Sequence, residues 1–178
     1  MFKVAKPITV KELDGVMNAF ATFAAQVDSL SGAELHICAA DVYRVSVNGV
    51  FIASGPARTA KGYARMDRIP LEGHGRKCGN QIIVSVSGHG CRSLSTVLQP
   101  MFLWAEVVRN GEILAATGRD FDCYLSGIRN PKTARYSVQR HFVEEWDLRC
   151  SLFERSVPGA VTENPPRVLE RVAPYPVY

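Results

Sequence analysis

Two Asn-Gly dipeptides, Asn48-Gly49 and Asn110-Gly111, each interrupt a run in which apolar and polar side chains alternate. That pattern marks a two-residue hairpin, because a type I′ turn needs positive φ at both central positions and Asn and Gly tolerate it best. Around the first turn Val47 is set opposite Val50 and Val45 opposite Ile52. Tyr43, Val45, Val47, Val50 and Ile52 then share one face, which must be buried. Around the second, Leu103 to Arg109 runs into the turn and Glu112 to Thr117 returns. Arg109 falls opposite Glu112, a favourable cross-strand pair, and Val108 opposite Ile113.

Further strands follow the same alternation: Leu35 to Ala39, Ile82 to Ser87 between Gly79-Asn80 and Gly88-His89-Gly90, and Tyr136 to Phe142. In the last, Tyr136, Val138, Arg140 and Phe142 are expected on one side. Many short strands broken by Gly, Pro and Asn predict an all-β sandwich or barrel, with helix under about a fifth of the chain. One segment resists this. Leu13, Val16, Met17, Phe20, Phe23, Ala24 and Val27 recur at helical spacing. Gly15 and Asn18 oppose a helix, and Thr22, Phe23 and Val27 suit a strand, so the local pattern leaves both open.

A chain of 178 residues that is 47% hydrophobic supports one domain with one core. No apolar run reaches the length of a transmembrane helix, and no membrane partner is expected. Residues Met1 to Pro7 lack the apolar stretch of a signal peptide, which points to a cytoplasmic protein; removal of a leader would make it secreted or periplasmic. The net charge is +4, but the basic residues are scattered. Even the densest group, Arg58, Lys61, Arg65 and Arg68, is too dispersed for a nucleic-acid stripe, so no nucleic-acid partner is expected. Cysteines 38, 78, 91, 123 and 150 form no CxxC pair, and their odd count and wide gaps predict free thiols. His36, His74, His89 and His141 lack metal spacing, and no phosphate loop or nucleophile elbow is present. No metal site, cofactor or catalytic residue is predicted.

From Val157-Pro158-Gly159 onward the chain changes character, with Asn164-Pro165-Pro166, Pro174 and Pro176. Proline fixes φ and removes a donor, so 1–156 reads as the sandwich and 157–178 as an arm or linker toward a downstream domain. Val161, Val168, Leu169, Val172, Tyr175 and Tyr178 make it more apolar than a free tether. The arm is therefore expected to pack on its own sandwich or to mediate a homodimer.

The strings Val42-Tyr43-Arg44-Val45-Ser46-Val47-Asn48-Gly49, Gly55-Pro56-Ala57-Arg58 and Gly62-Tyr63-Ala64-Arg65-Met66-Asp67 resemble the N-terminal domain of bacterial α-L-rhamnosidase-like glycoside hydrolases. Gly79-Asn80-Gln81-Ile82-Ile83, Phe102 to Glu106, Tyr136 to Phe142 and Pro166 to Arg171 continue the similarity along most of the chain. The resemblance implies a galactose-binding-domain-like jelly roll and a strand from Phe20 to Val27. It also implies that catalysis belongs to carboxylates of a later helical barrel, the partner of this domain in the same chain.

Glycoside hydrolysis needs two carboxyl groups roughly 5–10 Å apart across one bond. Asp120 and Asp122, or Glu145 and Asp147, would share strand faces, but Arg119, Arg140 and Arg149 stand ready to pair with them. Carbohydrate binding instead needs an aromatic platform beside polar groups. Trp104, Trp146, Tyr43, Tyr63 and Tyr124 are the candidates, with Trp104 and Tyr43 assigned to the core. The carbohydrate-binding group is Arg58, Lys61, Tyr63 and Arg65; the competing role for Arg58 is an ion pair with Asp67. The expected function is thus a non-catalytic accessory domain that braces a catalytic domain and contacts carbohydrate. The alternatives are an autonomous carbohydrate-binding module and a β-sandwich protein-interaction domain.

Overall fold

The computed structural model describes residues 1–177. It is a two-sheet β-sandwich of jelly-roll type, and its one helical element among the described residues is the 3₁₀ turn Lys11–Leu13. One sheet contains β1 (Ile8–Val10), β3 (Ala33–Ala40), β6 (Tyr63–Pro70), β8 (Phe102–Arg109), β9 (Glu112–Ala116), β12 (Gly159–Val161) and β13 (Arg167–Glu170), in the order β12-β1-β8-β3-β6-β13 with β9 also paired to β8. The other contains β2 (Ala19–Val27), β4 (Val42–Val47), β5 (Val50–Gly55), β7 (Asn80–Gly88), β10 (Asp122–Leu125) and β11 (Arg155–Val157), in the order β11-β10-β2-β7-β4-β5.

Alternation drives the packing. Leu35, Ile37, Leu103, Ala105 and Val107 from one sheet meet Phe23, Tyr43, Val45, Ile82, Val84 and Val86 from the other in a single core. The outer faces are covered too. Cys38, Ala40, Ala64, Met66, Phe102 and Val168 form a second cluster, with Phe2 and Trp104 packed against it. Trp104 stacks on Phe2 at 4.9 Å and donates its indole N–H to the Ala5 carbonyl at 2.8 Å, so it is no sugar platform. Glu106, 1% exposed, accepts the backbone N–H groups of Lys3, Val4 and Ala5 at 3.0–3.3 Å and pins this N-terminal cover.

Burial on both faces explains the ambiguous segment. In β2 only Gln26 is exposed, so the run reads as nearly continuous apolar sequence rather than as period two. Its outer face lies under the long irregular stretch between β10 and β11, where Trp146 meets Phe20 edge-on at 5.4 Å. The expected strand Tyr136 to Phe142 lies in that stretch and does not form: a single bridge joins Arg135 to Phe142, and Ser137 to Arg140 turn back. Tyr136 and Val138 are exposed, so their alternation reflects no buried face.

Both Asn-Gly turns form with the required geometry, φ 54° and 85° in the first, 49° and 85° in the second. Val47 pairs with Val50, Val108 with Ile113 and Arg109 with Glu112. A bulge after Val45 sets it opposite Ala53 instead of Ile52, and Val50 ends up exposed. All five cysteines are free.

The C-terminal stretch belongs to the sheets. β12 pairs with β1, and β13 runs parallel to β6 with Arg167 beside Tyr63 and Glu170 beside Met66. Beyond it Arg171 donates to the buried Asp67 at 3.1 Å, and Asp67 also accepts the Tyr43 hydroxyl. Gly55 passes directly over this network: a β-carbon there would stand 2.5 Å from Asp67 and 2.6 Å from the Tyr43 oxygen. Tyr175 lies under the Arg171 guanidinium at 4.4 Å and its hydroxyl accepts the Arg68 N–H at 2.8 Å.

Candidate functional site

Two of the four predicted sugar-contacting residues meet in one place. Arg58, on the turn after β5, and Tyr63, the first residue of β6, line a cleft of about 270 Å³ with Asp41, Thr96, Gln99 and His141. The cleft therefore draws on segments far apart in sequence. Lys61 lines a neighbouring groove of about 460 Å³ with Phe102, Pro165 and Pro166. Arg65 is committed to the scaffold: it donates to the Arg58 carbonyl and the Glu170 carbonyl, both at 3.2 Å. The ion pair considered between Arg58 and Asp67 does not form, because Arg171 occupies Asp67.

Behind the cleft lies a buried polar cluster. Asp41 accepts the backbone N–H of His89 at 2.8 Å and stands 3.4 Å from its ring Nδ1, with both side chains 3% exposed. His89 stacks on His141, ring centroids 4.0 Å apart. Arg129, 3% exposed, donates to Asn18 at 2.8 Å and to the Ser87 hydroxyl, lies 3.7 Å from Glu144, and sits against the Phe20 and Trp146 rings. Asn18 in turn holds the Pro131 carbonyl at 3.3 Å and the Thr133 hydroxyl at 3.1 Å. These contacts clamp the irregular stretch onto the sheet and place His141 at the cleft.

The chemistry of the rim follows. Burial first, then the neighbouring His89, holds the His141 pKa below the usual imidazole value of 6.5, with Glu144 and Asp41 opposing and Arg129 reinforcing. A neutral ring presents one donor and one acceptor, suited to hydroxyl groups. Because its folded pKa is depressed, the unfolded chain binds the proton more readily. The stabilisation is full above about pH 6.5 and is lost as pH falls through the folded value. Urea midpoints measured from about pH 7.5 to about pH 5 should fall more steeply for the native chain than for His141→Phe. Parallel slopes would show that His141 does not couple to folding.

Asp41, His89 and the pair Arg129 and His141 escape sequence reasoning because three separate segments bring them together. The one local hint is Gly88-His89-Gly90, an imidazole placed where a strand ends. Of the remaining aromatic candidates, Tyr43 is in the core, Tyr124 meets Phe153 edge-on at 5.1 Å, and Trp146 donates to Glu144 at 3.0 Å. Asp120 pairs with Arg119 at 2.6 Å, and Asp147 with Arg149 at 2.7 Å. Among the described residues no group of three or more His, Cys, Asp or Glu is arranged to hold a metal ion.

No protein-family model and no curated protein matches the chain. Solved structures do. A GH78 family rhamnosidase of Bacillus sp. GL1 is 22% identical and superposes with a TM-score of 0.84 over 98% of this chain and 20% of its own. The α-L-rhamnosidase from Dictyoglomus thermophilum matches at 15% identity and a TM-score of 0.70, over 96% of this chain and 22% of its own. A lectin from Pleurotus ostreatus is more distant, 13% identical with a TM-score of 0.51, over 90% of this chain and 42% of its own. The chain thus spans about a fifth of the length of the rhamnosidases it resembles. Over nearly its whole length it carries the β-sandwich fold found as one part of α-L-rhamnosidase chains.

Proposed function

We propose that the chain is a non-catalytic accessory domain of an α-L-rhamnosidase-like glycoside hydrolase, held beside a catalytic domain of the same polypeptide and contacting carbohydrate through the cleft of Arg58, Tyr63 and His141. The observation that carries this reading is the coverage: 98% of this chain superposes on 20% of the Bacillus enzyme. The chemistry agrees. A hydrolytic site needs two accessible carboxyl groups, and among the described residues Asp41 is the one carboxylate lining the cleft. Asp147 is held below its ordinary pKa by its hydrogen bonds from Arg149, the opposite of what a general acid needs. A cleft of about 270 Å³ accommodates a ligand of roughly one sugar ring, with the half-open Tyr63 ring as its apolar wall.

The purified chain should release no product from an aryl α-L-rhamnoside, yet retain glycans on an array, with retention weakened about tenfold by Tyr63→Ala. Turnover abolished by Asp41→Asn would overturn the non-catalytic reading. An array without a single retained glycan would overturn the carbohydrate reading.

A further inference from the structure

The cleft carries a charge that the fold itself leaves unused. Among the described residues Arg58, Arg68 and Arg140 each line a cleft, and two of them are engaged: Arg68 pairs with Glu170 at 2.6 Å, and Arg140 lies over the Tyr136 ring at 5.6 Å. Arg58 differs. Its guanidinium has no hydrogen bond, ion pair or ring contact among the described residues, although its backbone carbonyl is fixed by Arg65. The loop is therefore held while the charged head is free.

The acid on the cleft wall does not meet that need. Asp41 is 3% exposed and turned to His89, whose N–H it accepts at 2.8 Å. Gln99 and neutral His141 provide hydrogen-bonding groups without adding negative charge. A free guanidinium beside an aromatic ring and neutral polar groups is a recognition set for one chemistry: a carboxylate on a sugar. The planar fork of arginine takes a carboxylate through two parallel hydrogen bonds, stronger than bonds to hydroxyls.

We propose that this cleft selects an acidic monosaccharide unit, a uronate, whose carboxylate pairs with Arg58 while its ring lies against Tyr63 and its hydroxyls reach His141 and Gln99. The inference rests on the carbohydrate-binding reading above and narrows it to a charged ligand.

The test compares methyl β-D-glucuronide with methyl β-D-glucoside, which differ only in the oxidation state of C6, by calorimetry or ligand-observed NMR on the full chain. The glucuronide should bind at least about tenfold more tightly, the ratio expected of one charge-assisted pair. Arg58→Gln should erase that ratio without lowering the unfolding midpoint, because the side chain is exposed and without partners. Added salt should weaken the glucuronide alone. Acetate at the same concentration should not compete, since the ring supplies part of the contact.

Equal binding of the two glycosides, or a preference that survives Arg58→Gln, overturns the proposal. Retention of neutral glycans on the array with no glucuronide binding overturns it too, while leaving the accessory carbohydrate-binding role intact. If neither charged nor neutral glycans bind, both fall together.

Discussion

Replacing Arg171 with alanine is expected to lower the unfolding free energy by about 3 kcal/mol, read as a shift of the urea midpoint. The side chains of Arg171 and Asp67 are 6% and 0% exposed and meet at 3.1 Å. Removing the cation leaves a buried carboxylate that, among the described residues, keeps the Tyr43 hydroxyl as its side-chain donor. The network cannot easily rearrange, because Gly55 packs its backbone against both remaining members. The double replacement Asp67→Asn with Arg171→Met should recover most of the loss, since no unpaired charge is then buried. A single variant as stable as the native chain would show that water reaches Asp67 and that the pair is worth no more than a surface contact.

Arg129→Ala should act differently, at a cost of about 2–3 kcal/mol that is local. Its guanidinium joins Asn18, Ser87, Glu144 and the rings of Phe20 and Trp146, so its loss releases the irregular stretch from the outer face of β2. Amide exchange within residues 128–147 should rise strongly while β7 and β8 stay protected. The same variant should weaken glycan retention, because His141 reaches the cleft from this stretch. Unchanged exchange there would mean that Asn18 and the Phe20–Trp146 contact suffice as anchors.

What could be read beforehand was local. Asn48-Gly49 and Asn110-Gly111 dictate their turns through backbone conformation alone, so the hairpins and the first paired residues follow directly. The bulge after Val45 could not be read, because it answers to the packing of β4 between β5 and β7. Residues 136–142 misled for a related reason. Alternation identifies a strand only when one face is buried, and here the chain is fastened by the stacking of His141 on His89 and by the Leu94 N–H, which donates to the Gln139 carbonyl. In the arm, proline suggested an extended chain, which is correct in conformation for Arg167–Glu170, but its pairing with β6 is set 100 residues away. The site was half legible: Arg58 and Tyr63 are neighbours in sequence, whereas the Asp41–His89–His141 cluster exists only after folding.

The parallel run of β13 along β6 also gives the molecule a directional axis. Tyr63 lies at the cleft, while Tyr175 and Pro176 border a different groove with Ile69 and Pro70, at the opposite end of that same strand. Seven residue steps at ~3.3 Å separate the two ends by roughly 23 Å. A dye or bead attached at Pro176 therefore starts on the far pole from the cleft. Immobilisation through that position should present the cleft outward. The buried Arg171–Asp67 contact and the Tyr175 hydroxyl hold that orientation, so a surface prepared this way displays a uniform population instead of a swivelling one.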